Sequence, residues 1–371
     1  MPTDTYDVNI ETLSPIHIGA GKSYSPSEFV LSKVKQNNKN VKTIKRVDLS
    51  KFYLSLDEDK KDELIDGLSN PNFSLSNFEP HIKKEFTRYL SYDNTNTRDK
   101  NIKINEIQEH IKTSDKLYIP GSSIKGAIET TILYDLIDYD DIDKISTKLI
   151  NPKNKINYKE YKNMIQSYFS AKRGNPAQTS IFRFLKISDT NTINNPRIYQ
   201  SWTVMATSNS GTEFYSRHNK QVRTYLETIP TNKKLKTRFV TNYDSKFYRS
   251  LRIDDKKDIV DIDYIKTAIY NFSQDLIDYE LKYSDDYNIS YLSKFYKELS
   301  KRNTEDSPLL RVGSGSGLMG TSIAMKVNDM DFKSFEAIKN TFKRKYPWEF
   351  PKSRKITSTG KPFGWIKLNF N

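Results

Sequence analysis

Apolar and polar positions alternate from Tyr6 to Ile18, where Val8, Ile10, Leu13, Ile16 and Ile18 predict a strand interrupted at Ser14-Pro15. From about Leu31 to Asp115 the chain is polar, charged and poor in glycine, with helical patches such as Lys83 to Leu90. That pattern predicts an insertion or a largely helical lobe. At Tyr118-Ile-Pro-Gly-Ser-Ser-Ile-Lys-Gly-Ala-Ile a short strand end meets a Pro-Gly turn. Ser122 or Ser123 is placed to cap a helix, whose one face carries Ile124, Ala127, Ile128, Thr131 and Ile132. Ile181 to Asp189 alternates as a strand, and Gln221–Glu227 with Lys236–Thr241 predicts a strand pair around a turn at Pro230–Lys233. Apolar spacing predicts helix from about Val260 to Lys301 and again from Phe332 to Lys345, with Thr321–Val327 extended and a closing strand at Phe363–Phe370. Strands and helices mix without regular crossovers, which makes the fold class α+β.

Two glycine-rich stretches interrupt this pattern. Gly19-Ala-Gly-Lys-Ser ends like a P-loop, but the first glycine of that motif falls on Ile16, and Pro26 follows where a helix should run. ATP binding is a poor reading of it. Gly315-Ser-Gly-Leu-Met-Gly320 matches a dinucleotide fingerprint, yet it lies near the C-terminal end, ahead of no predicted long helix. A run of small residues also lets a phosphate backbone approach main-chain amides. The acidic clusters Asp138–Asp143 and Asp258–Asp263 lack calcium-loop spacing and read as solvated helix ends. The four histidines (His17, His81, His110 and His218) show no metal-ligand spacing. Of them, His17 sits in the most suggestive place, at a strand end before glycines.

Charge narrows the partner. The chain has 371 residues, room for two domains, and 60 basic against 46 acidic residues give a net charge of +14. That excess favours a polyanion. There is no cysteine, so thiolate chemistry is excluded and a reducing cytoplasm is expected. No apolar run of membrane-spanning length and no signal-peptide pattern occurs, so no membrane partner is expected. Lys233–Arg252 and Phe342–Lys361 each hold seven basic residues and one acid, with Phe239, Tyr243, Phe247, Tyr248, Tyr346 and Trp348 interleaved. Bases that neutralise phosphates beside aromatics that stack on unpaired bases suit single-stranded nucleic acid.

Three motifs together carry a resemblance. Ser14-Pro-Ile-His-Ile-Gly19, Ile119-Pro-Gly-Ser-Ser-Ile-Lys-Gly-Ala-Ile128 and Val312-Gly-Ser-Gly-Ser-Gly317 resemble the RAMP proteins of CRISPR effector complexes. More narrowly they resemble the fifth-subunit family of type III-A (Csm) complexes, which caps the 3′ end of the crRNA. Phe184–Asp189, Tyr225–Ile229 and Gly364–Leu368 fit the same order. The resemblance implies two ferredoxin-like (RRM-like) modules, residues 1–225 with an insertion at about 31–115, and residues 226–371 bearing the glycine-rich loop. It implies a non-catalytic, cofactor-free RNA-binding subunit whose partners are the guide crRNA and other Csm subunits, above all the RAMP backbone subunit. The RNA-facing residues it implies are His17, Gly19, Lys22, Gly121, Ser122, Ser123, Lys125, Arg223, Arg311, Gly313, Ser314, Gly315, Ser316, Gly317 and Lys361. Leu226 stands where such relatives carry arginine before the glutamate, with Arg223 earlier. No loop aspartate of the target-cleaving kind is present. Two rivals stay open at this level: a metal-independent guide-processing endoribonuclease using His17 with a nearby lysine or tyrosine, and a generic single-strand binder.

Overall fold

The computed structural model describes residues 3–95, 104–207, 211–214, 216–217, 220–221, 223–242, 244–342, 351 and 353–371. The first part of the chain supplies strands β1 (Thr3–Thr12), β2 (Gly19–Tyr24), β3 (Phe29–Gln36), β4 (Lys39–Val47), β5 (Thr87–Asp93) and β6 (Ile107–His110). The middle supplies β7 (Leu185–Ile187), β8 (Arg197–Thr207), β9 (Gly211–Phe214), β10 (Arg223–Thr228) and β11 (Lys234–Asn242). Strands β12 (Leu309–Arg311), β13 (Ser353–Thr357) and β14 (Trp365–Phe370) complete them. The principal helices are α1 (Leu49–Leu54), α2 (Glu58–Leu68), α3 (Gly121–Leu136), α4 (Ile262–Asp286), α5 (Ser290–Ser300), α6 (Ala324–Met330) and α7 (Phe332–Phe342). None of the described helices is long and apolar enough to cross a membrane.

A five-stranded antiparallel sheet runs β12-β14-β1-β11-β7. Alternation turns Val8 and Ile10 of β1 and Leu235 and Phe239 of β11 to one face, where they pack with Ile124, Ile128 and Ile132 of α3 and Ile265 and Ile269 of α4. A nine-stranded sheet runs β2-β6-β10-β8-β5-β4-β3, with β9 and β13 also paired to β8. Its β8–β5 and β10–β6 pairs are parallel. Both sheets draw strands from either side of residue 225. A separate core joins α4 to α7 through Leu276, Leu292, Tyr296, Val327 and Phe335, and reaches Trp365 of β14.

Several sequence expectations need correction. The stretch 31–115 is not a largely helical insertion. It contributes β3, β4, β5 and β6 to the nine-stranded sheet, and α1 and α2 close only a small core around Phe52, Leu64 and Phe78. Lys83–Leu90 is a short 3-10 turn leading into β5, whose Thr87, Tyr89 and Tyr92 favour extended backbone. Ile181–Phe184 is likewise a 3-10 turn, and only Leu185–Ile187 is strand. β10 and β11 are not partners: each lies in a different sheet. Thr321–Val327 leads into α6, because Met319, Ile323 and Val327 are buried at a spacing of four, a helical face that a short apolar run conceals. The helix expected at Phe332–Lys345 is described to Phe342.

The basic tracts separate differently from the sequence picture. In β11 the bases Lys234, Lys236 and Arg238 are exposed while Leu235 and Phe239 are buried. Tyr248 is buried too, so of the described aromatics in that tract only Phe247 is exposed. Basic–aromatic interleaving here is the period-2 alternation of a strand, which places the two residue kinds on opposite faces. Tyr243, Tyr346 and Trp348 lie outside the described residues. The acidic clusters act as helix ends, with Asp138 and Asp261 each accepting amide hydrogens at a helix start.

Candidate nucleic-acid interface

Glu227 of β10 is fully buried, and its main-chain carbonyl and side-chain carboxylate organise the residues around it. Its main-chain oxygen accepts from His17 Nδ1 at 2.7 Å. Its carboxylate Oε2 accepts from the His110 amide at 3.1 Å and from Lys112 Nζ at 2.8 Å. Burial raises the carboxyl above the usual carboxylate range, and the Lys112 ammonium and the His110 amide oppose that shift. Lys112 is itself buried, bonded to Glu109 at 2.9 Å and set over the Tyr89 ring. The charge of Glu227 is therefore paired as a buried charge must be.

His110 has a dictated proton. Nδ1 accepts from the Ile18 amide at 3.0 Å, and Nε2 faces the Tyr118 carbonyl at 3.0 Å. An amide can only donate and a carbonyl can only accept, so Nε2 carries hydrogen and Nδ1 is bare. Burial pushes this imidazole down to about 3, keeping it neutral. Through its two nitrogens His110 ties the loop of the first motif to the residue preceding the second.

The third motif and the Gly364–Trp365 segment dock directly on the first. The Ser314 amide donates to His17 O at 2.8 Å, the Gly364 amide to Pro15 O at 3.0 Å, and the Trp365 amide to Ser14 Oγ at 2.9 Å. Gly313 has φ +73°, and a Cβ there would stand 2.4 Å from His17 O, so both conformation and space demand glycine. Arg311 is buried; its guanidinium donates to Gly315 O at 2.8 Å and Phe363 O at 3.2 Å, fixing the loop from beneath. Ser316 Oγ closes the turn on Gly313 O at 2.9 Å. Beside the loop a cleft of about 280 Å³ is lined by Gly315, Ser316, Gly317, Arg354 and Lys355. Below it Glu280 sits 2.7 Å from Arg354 Nε and 4.0 Å from Arg311 Nη1, so two guanidiniums face one buried carboxylate.

The three motifs thus converge, but their residues take unequal places. Gly19 and Lys22 are exposed on β2, and Lys361 is exposed before β14. Lys22 and Lys361 have no side-chain partner among the described residues. At the start of α3 the helix begins earlier than expected. Pro120 takes the N-cap, so neither Ser122 nor Ser123 caps, and the Gly121 amide donates to Asp189 Oδ1 at 2.8 Å. A Cβ on Gly121 would stand 2.1 Å from Ile187 O, a packing reason for that glycine. Ser122 is exposed and Ser123 half-buried. Lys125 Nζ donates to Phe182 O at 2.6 Å, and burial lowers its ammonium from the usual range. Arg223 lies in β10 opposite Trp202, and its side chain is outside the described residues.

Sequence reasoning missed His110, Lys112, Glu227 and Lys355 as parts of this arrangement. Glu227 carried a signal, an acid inside the apolar run Tyr-Leu-Glu-Thr-Ile. Lys355 is exposed on β13, and its charge bears on His17 from across the loop. Among the described residues no group of acids and histidines is arranged to hold a metal ion.

The RAMP superfamily profile matches residues 9–319. The chain belongs to the RAMP superfamily. Within that family it is similar to the CRISPR system protein Csm5 of Methanocaldococcus jannaschii, 25% identical over 410 residues, covering 98% of this chain and 88% of the relative. Csm5 of Streptococcus thermophilus is 26% identical over 261 residues, covering 65% of each. Two solved structures share the fold. One chain of a Csm–crRNA–target RNA ternary complex aligns with a TM-score of 0.68 at 19% identity, over 98% of this chain and 100% of that one. T. onnurineus Csm5 aligns with a TM-score of 0.64 at 17% identity, over 96% and 99%.

Two outcomes follow for this RAMP frame. Gly317 has φ +69° with no atom within 4 Å of an added Cβ, so Gly317→Ala should cost about 1 kcal/mol of unfolding free energy. Gly313→Ala should cost about 2 kcal/mol more, because it also meets a carbonyl; equal costs in urea titration would refute the docking. Separately, His110 is excluded from protonation in the fold but takes up a proton at about 6.5 when unfolded. Stability is thus full above pH 6.5 and falls as pH drops toward 3, by up to about 1.4 kcal/mol per pH unit. Thermal unfolding between pH 7.5 and 5 should show a steeper loss in the parent than in His110→Phe.

Proposed function

We propose that this chain is a Csm5-type subunit of a type III-A CRISPR ribonucleoprotein, holding the 3′ part of the crRNA and stacking on the neighbouring RAMP backbone subunit. Membership of the RAMP superfamily supports it, as does the likeness to Csm5 relatives along almost the whole chain. The observation that carries the reading is the convergence of the Ser14–Gly19 and Gly313–Gly317 loops through the His17 carbonyl, beside the exposed Lys355. Glycines let a phosphate backbone come close, and free ammonium groups neutralise it without reading sequence. Sequence tolerance is what a guide-binding subunit requires.

In this reading the chain comprises two ferredoxin-like modules, residues 1–225 and 226–371, that exchange strands across both sheets. The role is non-catalytic, performed in the cytoplasm without a cofactor. Support comes from the histidines: His110 uses both nitrogens, and His17 one of its two, as hydrogen-bonding parts of the frame. A guide-processing nuclease would instead cleave repeat RNA in EDTA.

RNA binding by the purified chain should weaken steeply with salt, because each phosphate contact releases counterions. Lys22→Ala, Lys355→Ala and Lys361→Ala combined should reduce the slope of log affinity against log salt by about 2. The same triple variant should co-purify less guide RNA with the remaining Csm subunits. Unchanged slope and unchanged guide recovery would count against this surface as the RNA face.

A further inference from the structure

His17 has one nitrogen committed and one open. Nδ1 lies 2.7 Å from Glu227 O, and a carbonyl oxygen can only accept, so Nδ1 carries the hydrogen. Burial holds the ring below the ordinary imidazole range, with the Lys355 charge adding to that effect, so the ring is neutral and Nε2 is a bare acceptor. Nε2 takes no hydrogen bond from any described residue, although His17 as a whole is only 3% exposed. Gly19, itself exposed, lies directly over it: a Cβ there would stand 3.4 Å from Nε2. The missing side chain leaves a small window from the surface onto this nitrogen.

An acceptor in this place is chemically out of step with its surroundings. Lys355 and the main-chain amides of the glycine-rich loop are donors suited to phosphate oxygens, whereas a bare imidazole nitrogen repels them. It needs a donor. Along a single strand the only donor that recurs at every nucleotide is the ribose 2′-hydroxyl, which DNA lacks. A buried acceptor also discriminates strongly against a ligand that leaves it unpaired.

We propose that His17 Nε2 accepts a hydrogen bond from a ribose 2′-hydroxyl through the window left by Gly19, making this surface selective for RNA over DNA of the same sequence. The inference rests on the RNA-binding reading above and adds to it the group that tells the two nucleic acids apart. Lysines supply attachment to either backbone; His17 supplies the preference.

The test uses the full chain and two probes, an all-uridine RNA and the matching all-deoxyuridine strand, which carry no exocyclic amino groups and differ only at the 2′ position. Fluorescence anisotropy should give tighter binding to the RNA by about fivefold, the worth of one net hydrogen bond. His17→Asn retains an amide donor for Glu227 O but has no atom at the Nε2 position. It should lose about fivefold in RNA affinity, keep its DNA affinity, and so lose the preference. A scan of single 2′-deoxy substitutions, on the unaltered protein and in a uridine strand trimmed to the shortest length that keeps full affinity so that one register fits, should find one sensitive position, and that position should become insensitive in His17→Asn. The scan stands even if the variant folds poorly. Equal binding of both strands by the parent, no sensitive position, or a preference surviving in folded His17→Asn overturns the inference while leaving RNA binding intact. Failure to bind either strand overturns the RNA-binding reading and this inference with it.

Discussion

A buried carboxylate must find partners, and Glu227 finds them in segments far apart in sequence. Its side chain bonds the amide of His110, 117 residues away, and its main-chain oxygen bonds His17, 210 residues away. With Lys112 neutralising it, the cluster forms only when β10, β6 and the loop after β1 are all in place. Removing one partner would leave an uncompensated charge in the core, worth about 3–5 kcal/mol. The residue whose carboxylate demands this closure also holds the His17 ring through its main-chain oxygen. Gly19, the His17 ring and, through His17 O, the glycine-rich loop all take their places from it.

A second buried carboxylate does the matching task on the other side of that loop. Glu280 of α4 holds Arg354 and stands near Arg311, and Arg311 in turn grips Gly315 O. Both arginines are buried and donate to groups of the fold. Arg311 holds the glycine-rich turn through Gly315 O, while Arg354 donates to Pro351 O and Ser353 O at the start of β13. Two of the candidate cations in the sequence, Arg311 and Lys125, are thus committed to main-chain carbonyls of the fold, at 2.8 Å and 2.6 Å.

How much of this was legible in the sequence varies with the range of the interaction. Local signals read well: β1, α3 with its Ile124–Ile128–Ile132 face, the helices after Val260 and the closing strand all depend on periodicity within a few turns or residues. The three motif loops were legible because glycine and proline mark special backbone. Strand partnership was not, since β10 and β11 are adjacent in sequence yet enter different sheets, a choice made by β1 and β6. The stretch 31–115 misled because its strands are charged on their open face, which reads as a solvated helix. His110 gave no sign because its importance lies in which amide and which carbonyl it meets. Basic–aromatic alternation in β11 looked like a nucleic-acid surface and proved to be a strand with its aromatic side in the core.

On the function proposed above, guide RNA runs over the surface framed by Glu227, where the His17 and Gly313–Gly317 loops meet. Photo-cross-linking with a 4-thiouridine-substituted guide in the assembled complex, followed by peptide mapping, reads out that path. Adducts are expected in residues 17–22, 313–317 and 355–361. Adducts confined to the α1–α2 lobe, or to the outer face of β11, would contradict it.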